Sequence, residues 1–159
     1  MPYTRHKLRK KESKELAEKL SSLFGFVLDW NEIDILNMGN IVLIIVEDEA
    51  VGFFHNDKPY LTIMGIMKYM PKEKWIEVDK NAIKFICNGA DIMLPGIVNF
   101  DESINEGESV WIRDEVHKKP IAVGIAIMNS KEMKEKDKGK AVKNIHYIGD
   151  DIWNWRNLL

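Results

Sequence analysis

The sequence predicts an α+β fold in two parts, and three observations predict it. A long amphipathic helix pattern stands near the start, from Lys10 to Phe24. Short β-branched runs punctuated by glycine and proline fill most of the remaining chain, which is the pattern of small sheets with tight turns. A polar break carrying a proline, Pro71-Lys72-Glu73-Lys74, separates two such series, as a domain boundary would. The expectation is an N-terminal small α+β domain over residues 1–74, one long helix on a small antiparallel sheet. A second domain covers residues 75–159, its short strands closing into a small curled sheet.

In the first part, Leu16, Leu20, Leu23 and Phe24 make the helix's apolar stripe, with Ala17 beside it, at the spacing of one helical face. Glu15 and Lys19 form a favourable i, i+4 pair. Gly25 ends the helix, because glycine enters the left-handed conformation at little cost. Glu32 to Met38 alternates, with Ile33 and Ile35 inward, and Gly39-Asn40 signals a turn. The β-branched run Ile41 to Val46 is a buried strand. Glu47-Asp48-Glu49 connects it to a strand from Ala50 to Phe54, and Tyr60 to Ile63 is extended. A short helix starts at Gly65 and runs to Met70, where Pro71 stops it.

The second part reads as a strand at Trp75–Val78, a helix at Asn81–Asn88, and strands at Asp91–Leu94, Ser109–Asp114 and Ile121–Met128. Lys131 to Lys138 is a charged helix or loop, and Ala141 to Ile148 is the last strand. The stretch from Val78 to Ile97 carries most information. Ala82, Ile83, Ile86 and Cys87 follow the i, i+1, i+4, i+5 spacing of a helix's apolar stripe. Lys80 and Lys84 lie four apart and share a neighbouring stripe. Gly89 stands at the helix's end. Pro95-Gly96 turns the chain, proline fixing its φ and Gly96 allowing a positive one. The product is a concave corner of little side-chain bulk, flanked by lysines, where backbone approaches a ligand closely.

Composition bounds the function. Apolar residues make up 45% of the chain and charged residues 30%, normal for a soluble globular protein. The single cysteine, Cys87, excludes an internal disulfide and fits a reducing compartment. No early apolar run resembles a signal peptide, and the longest uninterrupted apolar run, Ile41 to Val46, is far too short to span a bilayer. The expectation is a cytoplasmic protein with no membrane partner. The net charge of −2 does not announce a nucleic-acid binder; its distribution says more. Arg5, Lys7, Arg9, Lys10, Lys11 and Lys14 crowd the start, and six lysines fall between 131 and 143. Acid gathers at Asp29, Glu32, Asp34 and Glu47-Asp48-Glu49. Such a bipolar surface suits contact with RNA on one side and protein on the other.

The helix Asn81–Asn88, the corner Gly89-Ala90-Asp91 and the run Met93-Leu94-Pro95-Gly96-Ile97 resemble the opening of a PUA domain, a small RNA-binding domain. The resemblance continues in Lys119-Pro120-Ile121-Ala122-Val123-Gly124-Ile125-Ala126, in Gly139-Lys140-Ala141-Val142 and in Asn144-Ile145-His146-Tyr147. The ending Asp150-Asp151-Ile152-Trp153 looks like that of the malignant-T-cell-amplified-sequence family of translation factors, whose PUA domain follows an N-terminal α/β domain. It implies a PUA-type β pseudobarrel for residues 75–159. It implies RNA contact on the helix–strand face, through Lys80, Lys84, Gly89, Ala90, Asp91, Met93, Pro95 and Gly96. There, backbone amides and lysines hold phosphates while a shallow groove accepts an unstacked nucleotide. Leu94 and Met93 are strand neighbours and point oppositely, so one of them faces inward. Lys138, Lys140 and Lys143 border the same face. Lysines 134 and 138, and 136 and 140, sit at i, i+4, where a helix would tolerate repulsion only for solubility or as a phosphate rail.

Catalytic equipment is thin. Cys87 with His146 could be imagined as nucleophile and base, but Cys87 falls on the apolar stripe, where an inert thiol is expected. Of His146 and Tyr147, one packs and one faces out. Trp153 and Trp155 are expected to pack on or cap the barrel, with exposed stacking on bases as the alternative. The histidines, at 6, 55, 117 and 146, show no metal spacing, and no glycine-rich cofactor loop appears, so neither metal nor cofactor is expected. The resemblance implies a non-enzymatic translation-associated RNA-binding protein acting in initiation, re-initiation or recycling. Its PUA domain would contact the tRNA acceptor end or ribosomal RNA, and its N-terminal domain the small ribosomal subunit or a partner. In relatives, a partner protein carries a second translation-factor module. The alternative is an RNA-recruiting component of an RNA-modification enzyme.

Overall fold

The computed structural model describes residues 3–25 and 27–159. Its first half is a meander. Strand β1 (Thr4–Lys7) leads into helix α1 (Lys10–Phe24), then strands β2 (Asp34–Asn37), β3 (Val42–Val46), β4 (Glu49–His55) and β5 (Lys58–Leu61), and helix α2 (Ile63–Tyr69). The five strands form one sheet in chain order, and every pairing is antiparallel. Leu16, Ala17, Leu20 and Phe24 of α1 are buried, and Gly25 closes the helix at φ +68, as the glycine signal requires.

The basic start forms a strand over Thr4–Lys7. Thr4–Lys7 pairs with β2, and its cations face acids: Arg5 reaches Asp34 at 2.6 Å and Asp48 at 3.3 Å, and Lys7 reaches Glu32 at 3.7 Å. Two hairpins carry positive φ at Glu47 and Asp48, and at Asn56 and Asp57, matching the right-handed twist of the strands they join. Helix α2 starts earlier than Gly65 because Thr62 caps it. The Thr62 hydroxyl accepts the Gly65 N–H at 2.9 Å and donates to Ala50 O at 2.6 Å.

The second half holds β6 (Trp75–Val78), α3 (Lys80–Ile86), β7 (Ile92–Met93), β8 (Ile97–Phe100), β9 (Ser109–Asp114), β10 (Pro120–Ala126), α4 (Ser130–Glu135) and β11 (Lys140–Tyr147). The six strands run in the order β7-β11-β10-β9-β6-β8. Only β6 and β9 pair in parallel. The two edge strands, β7 and β8, are joined by nothing longer than a 3-10 turn, Leu94–Gly96. A sheet whose opposite edges are a turn apart must curl almost shut, which gives the expected pseudobarrel.

One sequence expectation fails here. Gly96 lies in the 3-10 turn and is not among the residues with positive φ. Its missing side chain serves packing instead: a Cβ there would stand 3.3 Å from the Ala82 Cβ. Lys131–Lys138, read as a charged helix or loop, divides between the two. α4 ends at Glu135, so the i, i+4 repulsion expected for 134/138 and 136/140 does not arise.

The stretch around residue 74 is pinned rather than loose. Lys74 is 7% exposed, and its ammonium meets Glu108 at 2.9 Å and the Ser103 carbonyl. The Trp111 indole donates to Glu73 O at 3.0 Å. One apolar cluster gathers α1, the first sheet and α2, and it takes in Trp111 and Val123 from the second; the other fills the curled sheet.

Candidate nucleic-acid interface

Asp79 caps α3, its carboxylate accepting the Asn81 N–H at 2.8 Å. The helix turns Ala82, Ile83, Ile86 and Cys87 toward the second core. It ends through Gly89, whose φ is +95. A Cβ on Gly89 would meet the Tyr147 ring at an ordinary van der Waals distance of 3.4 Å, so this glycine answers to its backbone conformation alone. From Gly89 the chain enters β7, where Ile92 is buried and Met93 exposed, and Leu94 then turns inward.

Between α3, β7 and the 3-10 turn lies an open groove of about 550 Å³. Its walls include Ala90, Asp91, Met93, Pro95 and Gly96, together with Asn81, Ala82 and Phe85. Phe85 is 59% exposed and Met93 48%. Together they leave an aromatic and a thioether surface open to the groove. The Lys84 ammonium stands over the Phe85 ring, 5.1 Å from its centroid, placing a cation at the edge of an apolar platform.

Asp91 ties the groove's far wall. Its carboxylate accepts the Asn144 N–H at 2.9 Å and meets the Lys140 ammonium at 2.8 Å. The Asn144 side-chain amide donates to Ile86 O at 3.1 Å and Ala90 O at 2.9 Å, so the corner is locked to β11. Partial burial pushes the Asp91 carboxyl up, but Lys140, the Asn144 N–H and Lys143 outweigh it and hold it below its ordinary value.

The structure thus gathers Ala90, Asp91, Met93, Pro95 and Gly96 at one groove, with Lys84 at its lip and Lys140 bound to its wall. Lys80 lies elsewhere, lining a cavity with Met67 and Val116. Lys138 and Lys143 are exposed but do not line the groove. Phe85 was missed by sequence reasoning. The signal was an aromatic residue off the Ala82/Ile83/Ile86/Cys87 stripe, where a soluble helix normally carries a polar side chain.

The imagined nucleophile and base serve different cores. Cys87 packs in the second cluster, and burial pushes its thiol up, away from thiolate. His146 is 1% exposed, holds Asp150 through Nδ1 at 2.9 Å and sets its ring edge against Phe53 of β4. Tyr147 is half-buried. Trp155 and Ile152 pack on the N-terminal cluster, not on the barrel's own core. Among the described residues, no three His, Cys, Asp or Glu side chains converge to hold a metal ion.

Comparison with known proteins places these features. Residues 74–148 match the PUA domain and residues 4–69 match a domain of unknown function, DUF1947. An uncharacterized protein of Methanocaldococcus jannaschii is 45% identical over 96% of this chain and 96% of its own length. Translation machinery-associated protein 20 of Schizosaccharomyces pombe is 35% identical over 71% of this chain and 65% of its own length. Malignant T-cell-amplified sequence 1 of Danio rerio is 30% identical over 74% and 67%. The crystal structure of a hypothetical protein from Pyrococcus horikoshii OT3 superposes with a TM-score of 0.86 at 34% identity, covering 96% of this chain and 99% of that one. With both halves matched in order and the groove built on the PUA half, the chain belongs to the PUA-domain family that includes translation machinery-associated protein 20 and malignant T-cell-amplified sequence 1.

Proposed function

We propose that this chain is an RNA-binding protein of the translation machinery that positions RNA without catalysing a reaction. The observation that carries the reading is the groove between α3 and β7, where exposed Phe85 and Met93 adjoin the Lys84 ammonium. An unstacked base fits the aromatic and thioether surface, and the ammonium takes an adjoining phosphate. Backbone at Ala90 lets the RNA strand approach, and Lys138 and Lys143 add exposed cations outside the groove. Lys140 contributes less, because Asp91 already pairs with it. Asp91 shapes the wall rather than meeting phosphate.

In this reading, residues 75–159 form the RNA-binding domain and hold the tRNA acceptor end or a ribosomal RNA. Residues 1–74 form a docking domain for the small ribosomal subunit or a second translation-factor protein. The names of the relatives support translation as the setting, and with it a cytoplasmic location. No helix among the described residues is long and apolar enough to cross a membrane. Sedimentation of the full chain with purified small ribosomal subunits tests the setting. Co-migration that the Lys84→Glu and Phe85→Ala changes weaken is the expected result. No co-migration with subunits, or with subunits carrying tRNA, contradicts it.

A further inference from the structure

The junction between the two sheets holds a second cavity, which the α3–β7 groove does not use. It encloses about 350 Å³, within the range of small-ligand sites. Glu49 at the start of β4 and the C-terminal residues Trp153, Trp155, Arg156 and Asn157 line it, and His146 closes it from β11. Asp150 braces two of the lining residues, His146 and Trp153. Its carboxylate accepts the Tyr147 N–H at 3.0 Å and the Trp153 N–H at 2.8 Å, and holds His146 Nδ1. With Nδ1 committed, Nε2 of this buried ring has no hydrogen-bond partner among the described residues.

The other groups at the cavity also have bonding capacity to spare. Trp153 is 38% exposed. The Arg156 guanidinium stacks on Trp155 at 4.7 Å and donates to the Asp48 carbonyl, with no carboxylate partner among the described residues. Among the described residues, the ion-pair partner of Glu49 is Lys68, at 4.0 Å. Aromatic surface, a carboxylate and a guanidinium in one cleft match the three parts of a nucleotide. The base stacks, its N–H edge meets the carboxylate, and its phosphate meets the guanidinium. A cationic protein side chain would have Arg156 against it. Guanine alone among the common RNA bases offers two adjacent N–H donors on its Watson–Crick edge, the pair that suits a carboxylate.

We propose that this junction cleft binds a guanine nucleotide of an unpaired RNA segment, with Trp153 stacking on the base, Glu49 reading its edge and Arg156 holding its phosphate. The proposal takes its RNA source from the function proposed above but does not depend on the α3–β7 groove. The test titrates the full chain with guanosine monophosphate, adenosine monophosphate and N-acetylargininamide, read by tryptophan fluorescence and calorimetry. Guanosine monophosphate should bind about tenfold tighter than the adenosine compound, and Trp153→Ala should weaken it by about tenfold or more. Glu49→Gln should erase the preference. Both side chains are at least partly exposed, so unchanged circular dichroism is expected as the fold control. Equal affinity for the two nucleotides, insensitivity to both variants, or binding of N-acetylargininamide in their place overturns the proposal. Lys84→Glu separates the two sites: a guanosine response that survives it belongs to the cleft, and one lost with it belongs to the groove and overturns the cleft.

Discussion

Asp150 shows how much one carboxylate does in this molecule. It terminates β11, holds His146 and fixes the start of the C-terminal segment through the Trp153 N–H. Partial burial pushes its carboxyl up, but His146 and the backbone donors outweigh that and hold it below its ordinary value of 3.8. A carboxyl lowered in the folded state adds stability that is fully present above its unfolded value and is lost as pH falls through the folded one. Asp150→Ala should therefore cost about 1–3 kcal/mol near neutral pH. The gap to the unaltered protein should narrow as pH falls below 3.8. Urea unfolding of both proteins across that range checks this, and a gap that stays constant with pH would contradict the role given to the charge. The Asp150 contact was not legible in the sequence, because nothing in His146-Tyr147-Ile148-Gly149-Asp150 says that the chain turns back on its own histidine. Cys87 was legible, since its place on the apolar stripe is a local matter.

Among the elements, α2 owes its seat to Gly65. A Cβ there would stand 2.1 Å from the Val51 carbonyl oxygen, so the helix lies directly on the backbone of β4. Gly65→Ala should destabilise the protein by about 1–3 kcal/mol through forced overpacking, whereas Gly39→Ala, with nothing within 4 Å of its Cβ, should cost less and only through its backbone conformation at φ +91. Comparing their unfolding midpoints tests the contact; equal losses would mean that α2 does not sit this tightly. The strong periodic elements could be read in advance: α1 from its stripe and Gly25, β3 from its β-branched run, α3 from Ala82, Ile83 and Ile86. The short ones could not. Strand β1, Thr4–Lys7, is polar and exposed at every residue, and only its pairing with β2 makes it a strand. The Asn56-Asp57 hairpin lacks the glycine that usually marks such a turn, which hid the start of β5. Strand β8 exists because β6 lies beside it.

At the scale of the whole molecule, the halves share apolar surface. Trp111 and Val123 of the curled sheet sit in the cluster built on α1 and the first sheet, with Ile152 and Trp155 packed against it, and Lys74 is buried between its partners. Two halves joined this way should unfold together, so calorimetry of the full chain should give one transition, and two well-separated transitions would show the junction to be weak. The groove was legible as a glycine corner flanked by lysines, and its motif identified the family. Which lysine stands at the groove was not legible, since Lys80 and Lys84 share a stripe yet only Lys84 reaches Phe85. The central claim is that this groove binds RNA. The most direct measurement is the affinity of the full chain for a short RNA hairpin with an unpaired 3′ end, taken over a series of salt concentrations, for the unaltered protein, Lys84→Glu and Phe85→Ala. Lys84→Glu should weaken binding and lower the salt slope by about one unit. Phe85→Ala should cost about 1–3 kcal/mol of affinity with the slope unchanged. Unaltered affinity and slope in both variants, with the fold intact, would contradict the account.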